Sequence, residues 1–225
     1  SDVCSSDLFA QQEKLFVVWL GDVVDYGAHN LRCVKLAYDT LREGSAAMIW
    51  GNHEKKIDRW ITSNWGVDYQ GRLSDANVAT VTEIEALNPA RQRRFLSAWN
   101  ALKNWSNQHL VAGSFLFTHG AATPAMWSMS GRRLPGLHGN WAFYGEVSER
   151  QPNRGDGYPN RVWSWVDTVP TDHTVVVGHD WLDRVNNCVT LKTGAQGGEV
   201  YVVDCGSSKG GRLGSVVIDV ASRSV

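Results

Sequence analysis

Residues 15–27 read LFVVWLGDVVDYG and residues 47–54 read AMIWGNHE. In both, a short apolar run stops at a glycine and gives way to residues with oxygen or nitrogen donors. Runs of this length and composition fit strands buried within a sheet. The same pattern recurs three times downstream. Residues 115–117 end in Thr118-His119-Gly120, residues 174–177 (TVVV) in Gly178-His179-Asp180, and residues 201–203 in Asp204.

Helical periodicity fills the spaces between these runs. Leu31, Val34, Tyr38 and Leu41 share one face of a helix predicted over residues 30–43, and Gly44 supplies its stop. Asn88-Pro89 reads as cap and first position of another helix, with Phe95, Trp99, Leu102 and Trp105 on one side. Strands alternating with helices give an α/β domain. In such sheets ligands gather beyond the carboxyl ends of the strands, so the five polar termini are expected to converge on one site. Residues 128–161, rich in Gly, Pro, Asn and Arg and without clear periodicity, read as a long irregular excursion near that site.

Composition narrows the function classes. Apolar and charged fractions of 43% and 20% are ordinary for a globular protein, and 225 residues suffice for one sizeable core. A formal net charge of −1 argues against general nucleic-acid binding or attachment to an acidic membrane surface. No apolar run approaches the ~20 residues needed to cross a bilayer. Residues 1–8 (SDVCSSDL) carry no basic region followed by an apolar one, so no signal peptide is expected. Residues 1–13 are expected to be a non-core, foreign segment and residues 14–225 the functional domain. Cys4, Cys33, Cys188 and Cys205 are too widely spaced for a zinc knuckle and read as free thiols, in keeping with a cytoplasmic location. Eleven tryptophans could form a base-stacking platform, although core packing is the commoner use.

The chemistry lies in the strand termini. Asp22, Asn52, His119 and His179 offer a carboxylate, an amide oxygen and two imidazoles, donors suited to hard or borderline divalent ions. Any one of them has a plain reading as a turn or packing residue. Four of ligand type, all at strand ends, point to a metal centre.

These residues resemble the calcineurin-like metallophosphoesterases. Gly21-Asp22-Val23-Val24-Asp25-Tyr26-Gly27 resembles the family's GDxVDRG motif, and Gly51-Asn52-His53-Glu54 matches GNHE. Asp204-Cys205-Gly206 followed by Gly210-Gly211-Arg212-Leu213 resembles the closing segment of one branch of the family. That branch holds the bis(5′-nucleosyl)-tetraphosphatases and bacterial polynucleotide-kinase-type phosphatases, beside the Ser/Thr phosphatases. The resemblance implies a two-sheet sandwich flanked by helices and a binuclear site. Manganese is expected first there, with iron, zinc, nickel or magnesium as alternatives. It makes Asp22 the bridge between ions and Asn52, His119 and His179 ligands of the second. His53 becomes the general acid, oriented by Asp25, and Asp204 a carboxylate behind the ligands or beside the substrate.

Two departures stand out. No Asp-x-His precedes Asp22, so the family's first strand is expected to be missing and one ion to be well held. Tyr26 replaces the arginine that would clamp phosphate, and Arg161 is the expected substitute. The expected activity is metal-dependent hydrolysis of a phosphorylated small molecule, a nucleotide or a phosphoprotein. The alternative is a silent binding protein on the same fold.

Overall fold

The computed structural model describes residues 15–69, 71, 73–129, 133–149, 159–219, 222 and 225. The expected foreign segment at residues 1–13 lies outside them. The chain divides into two compact units, residues 1–106 and 107–225.

In the first unit, β1 (Val17–Trp19), α1 (Asn30–Arg42) and β2 (Ala46–Met48) form a β-α-β crossover. The strands run parallel with Val17 opposite Ala46 and Trp19 opposite Met48. Because they are parallel, their carboxyl ends, and hence Gly21-Asp22 and Gly51-Asn52, leave the sheet at the same edge. Helix α1 ends as its sequence predicts. Gly44 turns left-handed (φ 74°), and the Gly44 and Ser45 amides donate to the Leu41 and Thr40 carbonyls. Helices α2 (Asn52–Thr62), α3 (Asp75–Glu85) and α4 (Pro89–Trp105) follow. Asn88 caps α4 by accepting from the Arg91 amide at 3.0 Å. Val34, Ala37, Met48, Ile49, Ile57, Ile84, Trp99 and Leu102 are buried together as the core of this unit.

The second unit is built on a five-stranded sheet in the order β3-β4-β7-β9-β8. Its strands are β3 (His109–Ala112), β4 (Phe115–Thr118), β7 (Thr174–Val177), β8 (Thr190–Thr193) and β9 (Glu199–Val202). The three central strands β4, β7 and β9 are mutually parallel, while the edges β3 and β8 are antiparallel. Central position explains the sequence. β4 and β7 are apolar almost throughout because both faces are covered, whereas edge strand β8 (TLKT) alternates between half-buried and exposed. Parallel β4, β7 and β9 again deliver their polar termini, His119, His179 and Asp204, to one edge.

The α/β class expected from the sequence is what the structure has. The irregular excursion expected over residues 128–161 is a different matter. Its described part contains helix α5 (Gly136–Tyr144) and the paired strands β5 (Glu146–Val147) and β6 (Arg161–Val162). Helix α5 (GLHGNWAFY) has two glycines and no helix-forming charge pattern, so nothing local announces it. Burial of Gly139, Ala142 and Phe143 holds it, and the Gly120 and Ala121 amides donate to the Ala142 and Trp141 carbonyls.

Candidate active site

Gly21 and Gly51 set the backbone of the donor loops in the first unit. Gly21 adopts φ 87°, and a Cβ on it would lie 2.7 Å from the Gly51 backbone. A Cβ on Gly51 would lie 2.3 Å from Asp22 Oδ1. The two strand-end loops therefore touch through bare backbone. Asp22, Asp25 and Tyr26 all have positive φ (55°, 74° and 58°), a left-handed conformation that costs non-glycine residues energy. Three such residues in five hold this turn in one shape.

Glu54 is what holds it. Fully buried, its carboxylate accepts from the backbone amides of Asp22 (2.8 Å), Val23 (2.8 Å) and Gly51 (2.9 Å). It sits in the first turn of α2, where the helix dipole favours an anion. The amide of His53 donates to Asp22 Oδ1 at 3.1 Å, locking the aspartate's rotation. Sequence reading placed Glu54 in GNHE without giving it this task.

His53 Nδ1 contacts Asp25 Oδ2 at 2.5 Å, and its Nε2 lies 3.9 Å from Asp22 Oδ2. Burial works against a charged imidazole here. The hydrogen bond to Asp25 and the negative charges of Asp22, Asp25 and Glu54 outweigh it, raising the His53 pKa to about 9. Asp25 is itself held from α3. Thr80 Oγ1 donates to Asp25 Oδ1 at 2.6 Å and accepts from its amide at 3.0 Å, while Asn77 Nδ2 donates to Oδ2. Asn77 and Thr80 are buried, and sequence reading missed both. The available signal was faint: two polar residues on the face of α3 that also carries Ala76, Val81 and Ile84. Tyr26 is half-exposed, with its ring centroid 5.7 Å from that of His53.

The second unit carries two imidazoles at its strand ends. His119 is fully buried just past β4, and its carbonyl accepts from Gly178, just past β7, at 3.0 Å. That cross-strand bond brings His119 Nε2 to 3.0 Å from His179 Nδ1, with the rings edge to face. His179 also sits at positive φ (64°). Arg161 reaches the same turn: its Nε donates to the Tyr144 carbonyl at 2.5 Å, and Nη1 lies 3.5 Å from Asp180 Oδ1. Asp204 Oδ1 accepts from the Gly206 amide at 2.9 Å, shaping the loop after β9.

The donors of each unit are of types that suit borderline divalent ions. Two imidazole nitrogens face each other at 3.0 Å in one unit, and a rotationally fixed carboxylate beside Asn52 stands in the other. Imidazole nitrogens suit manganese, iron or zinc better than calcium, which prefers oxygens alone.

Residues 6–188 match the Calcineurin-like phosphoesterase family, and the chain belongs to it. It is a hydrolase of phosphoric ester or anhydride bonds, from a family that uses divalent metal. Among curated proteins it is similar to a bis(5′-nucleosyl)-tetraphosphatase PrpE [asymmetrical] of Halalkalibacterium halodurans. The two are 22% identical over 184 residues, spanning 79% of this chain and 70% of the relative. The protein of the same name from Oceanobacillus iheyensis is 23% identical over 183 residues, 79% of this chain and 68% of the relative. Among solved structures, a metallophosphoesterase from Sphaerobacter thermophilus aligns with a TM-score of 0.38 at 15% identity, covering 88% of this chain and 70% of that one. A cold-active protein-tyrosine phosphatase of a Shewanella species aligns at 0.44 and 18%, covering 88% and 62%.

Proposed function

We propose that the chain hydrolyses nucleoside polyphosphates or phosphomonoesters in a metal-dependent reaction, with Asp22, Asn52, His119 and His179 as metal ligands and His53 as general acid. The observation that carries this reading is the buried relay Thr80/Asn77–Asp25–His53, which ends in a nitrogen aimed past Asp22. Divalent metal, when bound, neutralises phosphate oxygens and makes an attacking water more acidic. Asp25 fixes the tautomer and orientation of the ring by accepting a hydrogen bond from Nδ1–H. With a pKa near 9 in the metal-free protein, His53 carries its second proton on Nε2 at neutral pH, where it can be given to a leaving oxygen. Arg161 is paired with Asp180, the residue after His179, Asp204 shapes the loop after β9, and Tyr26 beside His53 offers a hydroxyl donor to a phosphate oxygen. The names of the PrpE relatives favour nucleotide substrates, and free thiols at Cys33, Cys188 and Cys205 suit a cytoplasmic setting.

His53→Ala tests the assignment. It should lower kcat by about 10²–10⁴ on substrates whose leaving groups have high pKa. The loss should shrink for p-nitrophenyl phosphate, whose leaving group needs little protonation. Equal losses on both substrates would assign His53 another role.

A further inference from the structure

We propose that Trp181 and Arg184, on the loop that follows His179, form a shelf on which the base of a nucleotide substrate stacks. The inference rests on the nucleotide reading above and names the residues that would recognise the base.

Trp181 lies two residues beyond His179, and its indole joins the two loops of this unit that carry Asp180 and Asp204. A Cβ on Gly206 would lie 2.5, 2.7 and 2.8 Å from Cε2, Cδ2 and Cζ2 of the indole. Near-equal distances to three adjoining ring atoms place Gly206 over the ring face rather than at its edge. The glycine at φ 74° in the Asp204-Cys205-Gly206 loop is thus the seat on which the indole lies flat. Indole Nε1 donates to the Asp183 carbonyl at 3.0 Å, fixing the ring's rotation.

Arg184 completes the shelf. Its guanidinium carbon stands 5.7 Å from the Trp181 ring centroid, within cation–π range, and its Nε reaches toward the Trp181 carbonyl at 3.4 Å. The loop that presents it is organised in advance. Asp183 Oδ1 accepts from the amides of Val185 (3.1 Å) and Asn186 (2.9 Å), closing a tight turn with Arg184 near its tip. Arg184 and its neighbour Val185, 87% exposed, face solvent. A surface loop whose two side-chain hydrogen bonds hold an exposed arginine over a half-buried tryptophan, itself seated on Gly206, presents the guanidinium plane, backed by the indole, to an incoming ring. Bases stack on indole and guanidinium planes without regard to sequence, because each base has a π face. Phosphate bound near His179 would leave an attached nucleoside within reach of this loop.

Arg184→Ala, on the protein supplied with manganese, is the test, because an exposed side chain can be removed without unfolding the loop. Trp181→Phe, which keeps a ring on Gly206, is the companion variant. Steady-state kinetics are measured with diadenosine tetraphosphate and with p-nitrophenyl phosphate, which lacks a base. Stacking of one base predicts a KM for the dinucleotide raised about tenfold in Arg184→Ala, with kcat within twofold and p-nitrophenyl phosphate kinetics unchanged. A dinucleotide KM equal to wild type, or equal losses on both substrates, overturns the shelf and leaves the phosphoesterase reading intact. A wild-type protein that cleaves p-nitrophenyl phosphate but not the dinucleotide removes the nucleotide reading, and the shelf with it.

Discussion

His53 concentrates the electrostatics of the first unit: one imidazole flanked by Asp22, Asp25 and the buried Glu54. Its folded pKa, about 9, is above the ordinary 6.5. Protonated His53 therefore stabilises the metal-free fold fully below pH ~6.5, and this stabilisation is lost as pH rises through about 9. The melting temperature of the metal-free protein should fall over that window, and the fall should be smaller in His53→Gln. Parallel curves for the two proteins would show that folding does not raise the pKa of the imidazole. Tyr26 poses the complementary question, because a phenol brings a hydrogen bond but no charge to a phosphate. Arg161 cannot easily lend its charge, since Asp180 and the Tyr144 carbonyl already hold it. Tyr26→Arg should therefore lower the inhibition constant of inorganic phosphate by about tenfold, a charged hydrogen bond being worth ~1.5–3 kcal/mol. No tightening would mean that another cation already occupies the phosphate position.

Helix α3 is the element whose role is least visible in its own sequence. It brings Asn77 and Thr80 to Asp25 across 52 and 55 positions of chain. Its own start is tied down by Asn77 Oδ1, which accepts from the Ser74 amide and hydroxyl at 3.0 and 2.8 Å. One side chain thus both starts the helix and braces the relay. Thr80→Val keeps the shape of the side chain but removes a donor from a buried carboxylate, which should cost ~1–3 kcal/mol of stability. A looser Asp25 should also lower kcat, by less than the loss in His53→Ala, with KM little changed. Thermal melts and steady-state kinetics on the same preparation check both effects, and unchanged kcat would make Thr80 purely structural. Strand-end loops follow the opposite logic. Gly21 and Gly51 touch because each strand stops where a side chain would not fit, and that is written in the GD and GN dipeptides themselves.

At the scale of the whole molecule, ligand binding should couple to folding. An ion held by the native fold and not by the unfolded chain stabilises by about 2.7 kcal/mol at a hundredfold excess over its Kd. For a chain of this size that is a melting shift of about 5–10 °C. Stripping with a chelator should therefore abolish hydrolysis and lower the melting temperature by this amount, and manganese should restore both. Hydrolysis that survives complete metal removal, verified by elemental analysis, would refute the metal-dependent mechanism.

The sequence alone determined the central strands, helices α1 and α4 and the donors that follow each strand. Those signals are local: apolar runs, helical periodicity, a cap, a stop and a glycine fall within a few residues of what they specify. The family resemblance, carried by two separate motifs, also implied that Asp25 orients His53. Only the tertiary structure decided the rest. The three backbone amides that Glu54 accepts, the bracing of Asp25 by Asn77 and Thr80, and the capture of Arg161 by Asp180 join residues distant in the chain. Helix α5 and the edge strands β3 and β8 are likewise set by the neighbours they pack or pair with. Contacts of this kind leave no spacing in the sequence, because the free energy that selects them comes from burial and pairing that exist only once the chain has folded.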